Sequence, residues 1–518
     1  MKTTIHVLCA LFLFATVFAP GVFAADGYFE VEEQEGRWWL IDPDGERFFS
    51  TGVNLVNPGG YYAPDLGYAP YYENIIELYG TEEAWADETF NRLSQWNFNT
   101  LGGWSDYGLL ADRMPYTLVL YLSPANWQSG TVADYFSDDF YDQVAEKIAS
   151  SVTPRVEDAN LIGWFLDNEL RWGIDWRGIT DLFAEYFAFD ADMPGKAALA
   201  QFLRDRYDDD VAAFNAAWGM SLVDFDELLP MTLIDPFTFD PVMSADREAF
   251  AGFVAEHYFS YSYDAIRAAD PNHLIMGCRL VSWTTPIAVA EAAGRHSDVV
   301  SINHYIPWPI FQDAIVWLGG LVSIMNPTDM LAQYYELTQK PLLISEFSVR
   351  AMDSGLPNSW PPPYFFETLQ TQEDRADWFE EYARATFAGG HVVGYHWFAY
   401  MDEPPEGRFD GEDSNFGLVD NWDTPWTTLV TRMTEVNADA YTWPIPGDDD
   451  VDDDVDDDVN DDVDDDADDD SDDDDSDDAD DDVDDDAHDD ADDDSIGDPS
   501  ADSDQADDDD DDGGSCCG

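Results

Sequence analysis

Two apolar stretches decide the fold: residues 161–169 read LIGWFLDNE, and residues 341–347 read PLLISEF. Each stretch is a nearly continuous run of apolar side chains that ends on or next to a glutamate. Such runs are typical of parallel strands that are buried on both faces of a sheet. Because the carboxyl ends of the strands in an α/β barrel share one mouth, we expect Glu169 and Glu346 to lie there together.

Strand and helix patterns alternate along the rest of the chain, which is the arrangement of a parallel sheet. Strands are predicted at residues 48–56, 97–105, 116–123, 161–169, 273–280, 299–305, 341–348 and 392–400. Helical periodicity is clearest at residues 140–150, 246–269, 286–296, 329–339 and 374–388. Eight strand–helix units predict an α/β fold of the (β/α)8 TIM-barrel type.

The barrel domain is predicted to span residues 25–446 and to carry two additions. An N-terminal β-hairpin is expected over residues 26–49, where the turn sequence DPDG at 42–45 separates two apolar segments. A helical insertion is expected after strand four, at about residues 170–245. Long insertions in barrel enzymes lie on the loops of the mouth, where they shape access to the site.

The first 24 residues have the features of a secretory signal peptide. Lys2 precedes an apolar run over residues 5–18, and the sequence VFA at 22–24 matches a small-x-small cleavage pattern. The expected location is therefore secreted, extracellular or at the cell surface, with the periplasm as the alternative. No other segment approaches the 18 apolar residues of a membrane span, so no span is expected in the mature protein.

Much of the formal charge of −89 lies in a C-terminal segment, residues 447–518, which holds 43 Asp and no Lys, Arg or Glu. This composition predicts a disordered acidic tail. It is interpreted as a solvated spacer, with weak Ca²⁺ binding as the alternative; the glycines of calcium-binding loops are missing, so no metal site is assigned. The rest of the chain, with 68 acids against 22 bases, argues against nucleic acid as a partner.

Paired carboxylates suit one chemistry in particular. Cleavage of a glycosidic bond needs one carboxyl group to protonate the leaving oxygen and a second to attack or to activate water. A single glutamate that ends a buried strand can also cap a helix or join an ion pair. Two of them, on strands four and seven, favour catalysis. No phosphate-binding glycine loop, zinc-ligand cluster or serine nucleophile elbow appears, so no cofactor is expected.

The motifs GWFLDNEL at 163–170 and ISEF at 344–347 resemble the acid/base and nucleophile motifs of clan A retaining glycoside hydrolases. The first motif is similar to that of the agarase branch and the related barrel β-galactosidases. Further similarities lie at WLIDPDG (39–45), FFSTGVN (48–54), NFNTLG (97–102) and GYHWF (394–398). The resemblance spans roughly residues 36–440.

This resemblance implies roles for five residues. Glu169 would be the general acid/base and Glu346 the nucleophile, while Asn168 would bind the sugar 2-hydroxyl. Strict alternation along a strand would point Asn168 and Glu169 to opposite faces, so a bulge or a strand end is needed between them. Tyr305 would orient Glu346 and Trp397 would form the floor of the sugar site, although either could instead be a buried core aromatic.

The remaining candidates are less specific. Arg279 is expected either to pair with a catalytic carboxylate or to form a structural ion pair. Trp172 and Trp176 follow Glu169 directly and either stack on sugars or pack the insertion onto the barrel. Weaker candidates for the mouth are Asn54, Asn303, His304, His396 and Asp402.

The sequence thus predicts a secreted retaining glycoside hydrolase that cleaves β-glycosidic bonds of a polysaccharide or oligosaccharide. The resemblance implies an agarase-like or β-galactosidase-like specificity. The alternatives are a clan A hydrolase of another β-glycan, such as mannan or glucan, and a non-catalytic carbohydrate-binding surface protein. A third is an acidic Ca²⁺-buffering or display protein.

Overall fold

The computed structural model describes residues 27–234, 240–305, 327–362 and 367–443. The predicted signal peptide and the predicted acidic tail lie outside these ranges. The described strands, in chain order, are β1 Glu30–Gln34, β2 Arg37–Ile41, β3 Arg47–Phe48, β4 Ser50–Val53, β5 Thr100–Leu101, β6 Tyr116–Val119, β7 Leu161–Phe165, β8 Leu274–Ile275, β9 Leu280–Val281, β10 Val300–Asn303, β11 Leu342–Phe347, β12 Arg350–Ala351, β13 Thr368–Leu369 and β14 Val392–Trp397.

Twelve α-helices are described between and after these strands. They are α1 Pro70–Tyr79, α2 Glu82–Gln95, α3 Tyr107–Leu110, α4 Asp138–Lys147, α5 Leu182–Ala188, α6 Pro194–Arg206, α7 Val211–Trp218, α8 Pro241–Ala269, α9 Ile287–Arg295, α10 Pro327–Thr338, α11 Gln372–Ala388 and α12 Thr427–Asp439. Among the described residues, no helix combines the length and the apolar character that crossing a membrane requires.

A parallel sheet forms the centre of the fold, with the strand order β8-β7-β6-β5-β4-β14-β11-β10-β9. Its two ends are joined through residues 274–281. Met276 N–H donates to Trp164 O (2.8 Å) on one side, and Ser301 N–H donates to Met276 O (3.1 Å) on the other. These bonds close the sheet into a barrel, and each of the eight predicted strand positions contributes to it.

The fifth predicted strand, residues 273–280, is not continuous. It is divided into β8 and β9, because Gly277 (φ 70°) and Arg279 (φ 53°) both take left-handed backbone conformations. A regular strand cannot contain such residues. The interruption turns the Arg279 side chain into the barrel, where it is fully buried.

The two additions to the barrel are present. Strands β1, β2 and β3 form a three-stranded antiparallel sheet, one strand more than a simple hairpin. The insertion after β7 contains α5, α6 and α7. The long helix α8 begins at Pro241 rather than at the predicted residue 246, because Asp240 caps its first turn by accepting from Val242 N–H and Met243 N–H.

Helix ends follow local signals in the sequence. Thr371 and Asp374 form a capping box at the start of α11. Helix α8 ends at Ala269, directly before the sequence DPN at 270–272, whose proline cannot continue a helix. The signal at the start of α11 bounds a loop of the mouth, whereas the end of α8 bounds the loop that enters β8 at the opposite end of the barrel.

Candidate active site

Left-handed backbone conformations cluster at the carboxyl ends of the barrel strands. Leu55, Trp104, Tyr121 and Glu169 have φ between 48° and 62° and lie just after β4, β5, β6 and β7. Non-glycine residues in this region are uncommon and cost free energy, so their concentration at one edge marks the functional end of the barrel.

Glu169 takes its position from one of these conformations. Strand β7 ends at Phe165, four residues earlier, and Glu169 itself has φ 48°. The strict alternation of a strand is therefore lost before residue 168. Asn168 and Glu169 then face the same neighbour: Asn303 Nδ2 donates to Asn168 Oδ1 (3.2 Å) and to Glu169 Oε1 (2.9 Å). The strand end that the sequence required is present.

Glu346 lies within β11 and is buried at the mouth. Its two carboxylate oxygens have separate partners. Arg279 Nη2 donates to Oε1 at 2.6 Å, and the Tyr305 hydroxyl donates to Oε2 at 2.9 Å. Of the two alternatives for Arg279, the structure has the pairing with Glu346, and Tyr305 lies where the resemblance placed it.

Burial raises the pKa of Glu346 to about 7. The Arg279 charge and the Tyr305 hydrogen bond both act against this shift, while the negative charge of Glu169 adds to it. The physical cause is that a carboxylate removed from water loses its solvation, and only nearby cations or donors replace it. Near neutral pH the Glu346 carboxyl group is therefore close to its own pKa.

Glu169 also has a separate partner on each oxygen. Asn303 donates to Oε1, and Trp127 Nε1 donates to Oε2 at 3.1 Å. The backbone carbonyl of Glu169 accepts from Arg177 Nη2 at 2.8 Å. The carboxylate and its backbone are thus fixed from three directions, which is the positioning that a proton-transfer group needs.

Asn303 connects the surroundings of the two glutamates. Its amide nitrogen donates to Glu169, and its amide oxygen accepts from Ser345 Oγ at 2.7 Å, the residue directly before Glu346. Arg279 Nε approaches the same oxygen at 3.4 Å. Among the weaker candidates for the mouth, Asn303 is thus hydrogen-bonded to Glu169 and to the residue that precedes Glu346.

Four other predicted residues lie in the barrel wall or behind it. Asn54 Nδ2 donates to the Ser345 carbonyl at 3.0 Å and is fully buried. His396 Nε2 lies 2.9 Å from Ser50 Oγ inside the barrel, where burial lowers its pKa to about 3. His304 Nδ1 lies 2.5 Å from the hydroxyl of Tyr382 on α11. Asp402 is buried and accepts from Asn415, Gly417 and Trp426.

For two tryptophans the structure has the core alternative that the sequence analysis left open. Trp397 is 0% exposed, and its indole donates to Phe416 O (2.8 Å) while its ring packs against Phe347 and Phe379. Trp172 is 3% exposed and stacks between Tyr135 and Phe259. Neither has a surface that a sugar could contact, so the predicted floor at Trp397 and the sugar contact at Trp172 are not supported. Both are core side chains.

The sequence interpretation missed two residues that hold the acid/base candidate, Trp127 and Arg177. Both lie on loops that follow predicted strands three and four, at the mouth of the barrel. The one sequence feature that could have indicated a place at the mouth is that both residues follow predicted strands. Neither motif nor spacing distinguishes them from the many other polar and aromatic residues on the same loops.

A closed barrel that brings two buried glutamates to its mouth on strands four and seven has the arrangement expected of barrel glycoside hydrolases. In the part of the chain that the structure describes, no group of histidine, cysteine or acidic residues is arranged to hold a metal ion.

Comparison with known proteins points to one branch of this class. The chain is similar to beta-agarase A of Vibrio sp. (strain JT0107), with 30% identity over 484 residues, 79% of this chain and 45% of the relative. Beta-agarase B of the same organism is 26% identical over 487 residues, 80% of this chain and 48% of the relative. No family model matches the sequence.

A solved agarase structure has the same fold, with a TM-score of 0.66 and 25% identity over 81% of this chain and 65% of that chain. The resemblance to the agarase branch of clan A glycoside hydrolases is thereby confirmed. The chain spans less than half the length of the curated relatives that it matches.

Proposed function

We propose that this protein is a secreted retaining glycoside hydrolase that cleaves β-glycosidic bonds in an agar-like galactan. The observation that carries the proposal is the pair Glu169 and Glu346 at the mouth of the barrel, where Asn303 bonds both to Glu169 and to Ser345, the residue before Glu346. The predicted signal peptide supports secretion, and the similarity to beta-agarases supports the choice of glycan.

In the first step the Glu346 carboxylate attacks the anomeric carbon of the sugar. Glu169, in its protonated form, gives its proton to the glycosidic oxygen, and the bond to the leaving group breaks. A covalent glycosyl-enzyme results. Arg279 and Tyr305 hold the attacking carboxylate in one orientation and keep part of it ionised against the effect of burial.

In the second step Glu169, now a carboxylate, removes a proton from water, and the water oxygen attacks the same anomeric carbon. Glu346 leaves as a carboxylate, and the configuration of the sugar is retained after two inversions. The contacts from Trp127 and Asn303 suit this second role of Glu169, because each donates to one oxygen of the carboxylate and so stabilises its ionised form.

The test compares three forms of the full chain: the wild type, Glu346→Gln and Glu169→Gln. Agarose, other β-linked galactans, mannan and glucan are the substrates, and the anomer released first is followed by proton NMR. We expect the wild type to cut agarose with retention and Glu346→Gln to be inactive. Glu169→Gln should regain activity on substrates whose leaving group needs no protonation.

Any other result of this experiment would contradict a particular part of the proposal. Inverted product would exclude the glycosyl-enzyme. Cleavage of mannan or glucan alone would keep the two glutamates and discard the agar-like substrate. An active Glu346→Gln variant would exclude Glu346 as the nucleophile. If no glycan is cut but one is bound, the protein is a carbohydrate-binding barrel.

A further inference from the structure

Two tryptophans on different loops form an aromatic surface at the mouth. Trp176, in the insertion seven residues after Glu169, is 45% exposed. Its ring centroid lies 6.0 Å from that of Trp283, which follows β9, and the two rings are tilted by 38°. We call this pair, Trp176 and Trp283, the tryptophan platform. With 45% of its surface exposed, the Trp176 indole has area available to contact a ligand.

Arg177 fixes the platform relative to Glu169. Its guanidinium forms two hydrogen bonds with the Asp175 carboxylate, at 2.6 and 3.0 Å, and this ion pair is almost fully buried. The same group donates to Glu169 O (2.8 Å) and to Trp127 O (3.2 Å). The Trp176 ring lies over the guanidinium, with 4.5 Å between the guanidinium carbon and the ring centroid.

The partners of the two Glu169 carboxylate oxygens indicate on which side of the cleaved bond the tryptophan platform lies. Oε1 faces Asn303, which is bonded to Ser345 next to the nucleophile. Oε2 faces Trp127, whose carbonyl is held by Arg177. A general acid lies between the sugar that is attacked and the sugar that leaves. The Trp127 and Arg177 side of Glu169, away from Glu346, is therefore the side of the leaving group.

We infer that the tryptophan platform stacks on a sugar ring of the leaving part of a β-linked galactan and so selects substrates that extend beyond the cleaved bond. This inference rests on the proposed function. The face of a galactose ring that carries mainly C–H groups matches a flat indole, and the ring hydroxyls at its edge remain in water. Arg177 acts as a positioning residue, since it orders both the acid and the platform.

The experiment uses the full chain and two substrates. One is an agarose oligosaccharide with sugars on both sides of the cleaved bond. The other is the β-fluoride of the donor-side fragment, whose leaving group is a single atom. The variants are Trp176→Ala, Trp176→Phe and, as a matched control, Ile179→Ala, which removes an apolar side chain of the same loop that is 64% exposed.

Trp176→Ala should lower kcat/KM for the oligosaccharide about three- to tenfold, mainly by raising KM, because one aromatic stacking contact is lost. It should leave kcat/KM for the fluoride unchanged, which also reports that the variant is folded. Trp176→Phe should restore most of the loss, and Ile179→Ala should behave as the wild type on both substrates.

The outcomes separate this inference from the proposed function. A wild type that cleaves neither substrate would defeat the proposed function, and the platform with it. A wild type that cleaves both, with Trp176→Ala unchanged on the oligosaccharide or reduced equally on the two, would overturn the platform alone. The same holds if Ile179→Ala reproduces the effect of Trp176→Ala.

Discussion

Replacing Arg279 by glutamine should move the pH dependence of the proposed glycosidase activity to higher pH. Arg279 is fully buried, and its Nη2 lies 2.6 Å from Glu346 Oε1. It is the strongest influence that favours the ionised form of Glu346 against burial. Glutamine keeps a hydrogen-bond donor near this place and removes the positive charge, so the substitution isolates the electrostatic contribution.

The size of the shift follows from the geometry. An opposite charge at hydrogen-bond distance usually lowers the pKa of a carboxyl group by about 1–3 units. Its loss should therefore raise the pKa of Glu346 from about 7 by roughly that amount, equivalent to about 1.4–4 kcal/mol. A nucleophile has to be ionised, so kcat/KM at pH 7 should fall by about fivefold at the lower limit and several hundredfold at the upper.

The assay is a profile of kcat/KM against pH for a substrate with a dinitrophenolate leaving group. Such a group departs without a proton, so the ionisation of Glu169 does not limit the rate. In the wild type, activity should rise with pH and level off above about 7. In Arg279→Gln the rise of kcat/KM should occur at higher pH. Above that rise, kcat/KM should partly recover towards the plateau value of the wild type.

Arg279→Lys is the control, since it keeps the charge and loses the forked geometry. Its profile should rise near that of the wild type, with a lower plateau because the contacts to Ser345 O and Asn303 are lost. A profile of Arg279→Gln that rises at the wild-type pH would refute the reasoning, provided that circular dichroism reports a folded protein. So would a rise of Arg279→Lys at the pH seen for Arg279→Gln.

Three further expectations concern other parts of the chain. Asn303→Ala should lower kcat roughly 10²-fold, because Glu169 loses its positioning donor; Ser345→Ala, which removes only the Ser345 Oγ–Asn303 bond, should cost less. Burial raises the pKa of Asp167 from 3.8 to about 7, so the folded state binds its proton more tightly and the free energy of unfolding falls as the pH rises from about 4 to 7. This loss should be about 2.6 kcal/mol between pH 5 and pH 8, and Asp167→Asn, with Tyr258 still a hydrogen-bond partner, should reduce it in urea titrations at those two pH values. Removal of residues 447–518 should leave kcat/KM unchanged; a large drop in activity would contradict the spacer interpretation, and a loss of Ca²⁺ binding by calorimetry would favour its alternative.

Much of the barrel could be predicted because its signals are local. A parallel strand covered on both faces has to be apolar along its whole length, and a helix has to repeat its apolar residues every three to four positions. These patterns located all eight strand positions and the helical insertion after strand four. The interruption at Gly277 and Arg279 escaped prediction, because an arginine within an apolar stretch does not by itself indicate a left-handed backbone.

The site was predicted unevenly, for a related reason. Glu169 and Glu346 end or follow apolar runs, so their positions could be read from the chain. Trp397 and Trp172 lie just as close to strand ends, and yet their side chains point into the packing between barrel and helices. The position of a residue in the sequence shows which strand carries its side chain. The local backbone angles decide in which direction that side chain points.

The sequence by itself determined the class of fold, the two glutamates and the resemblance to agarases, since these depend on runs of neighbouring residues. Only the tertiary structure decided which groups surround the glutamates. Arg279 and Glu346 are 67 positions apart, and Trp127 and Glu169 are 42 positions apart. Contacts of this kind form when strands and loops that are distant in the chain meet at one barrel end, and no pattern of neighbouring residues encodes them.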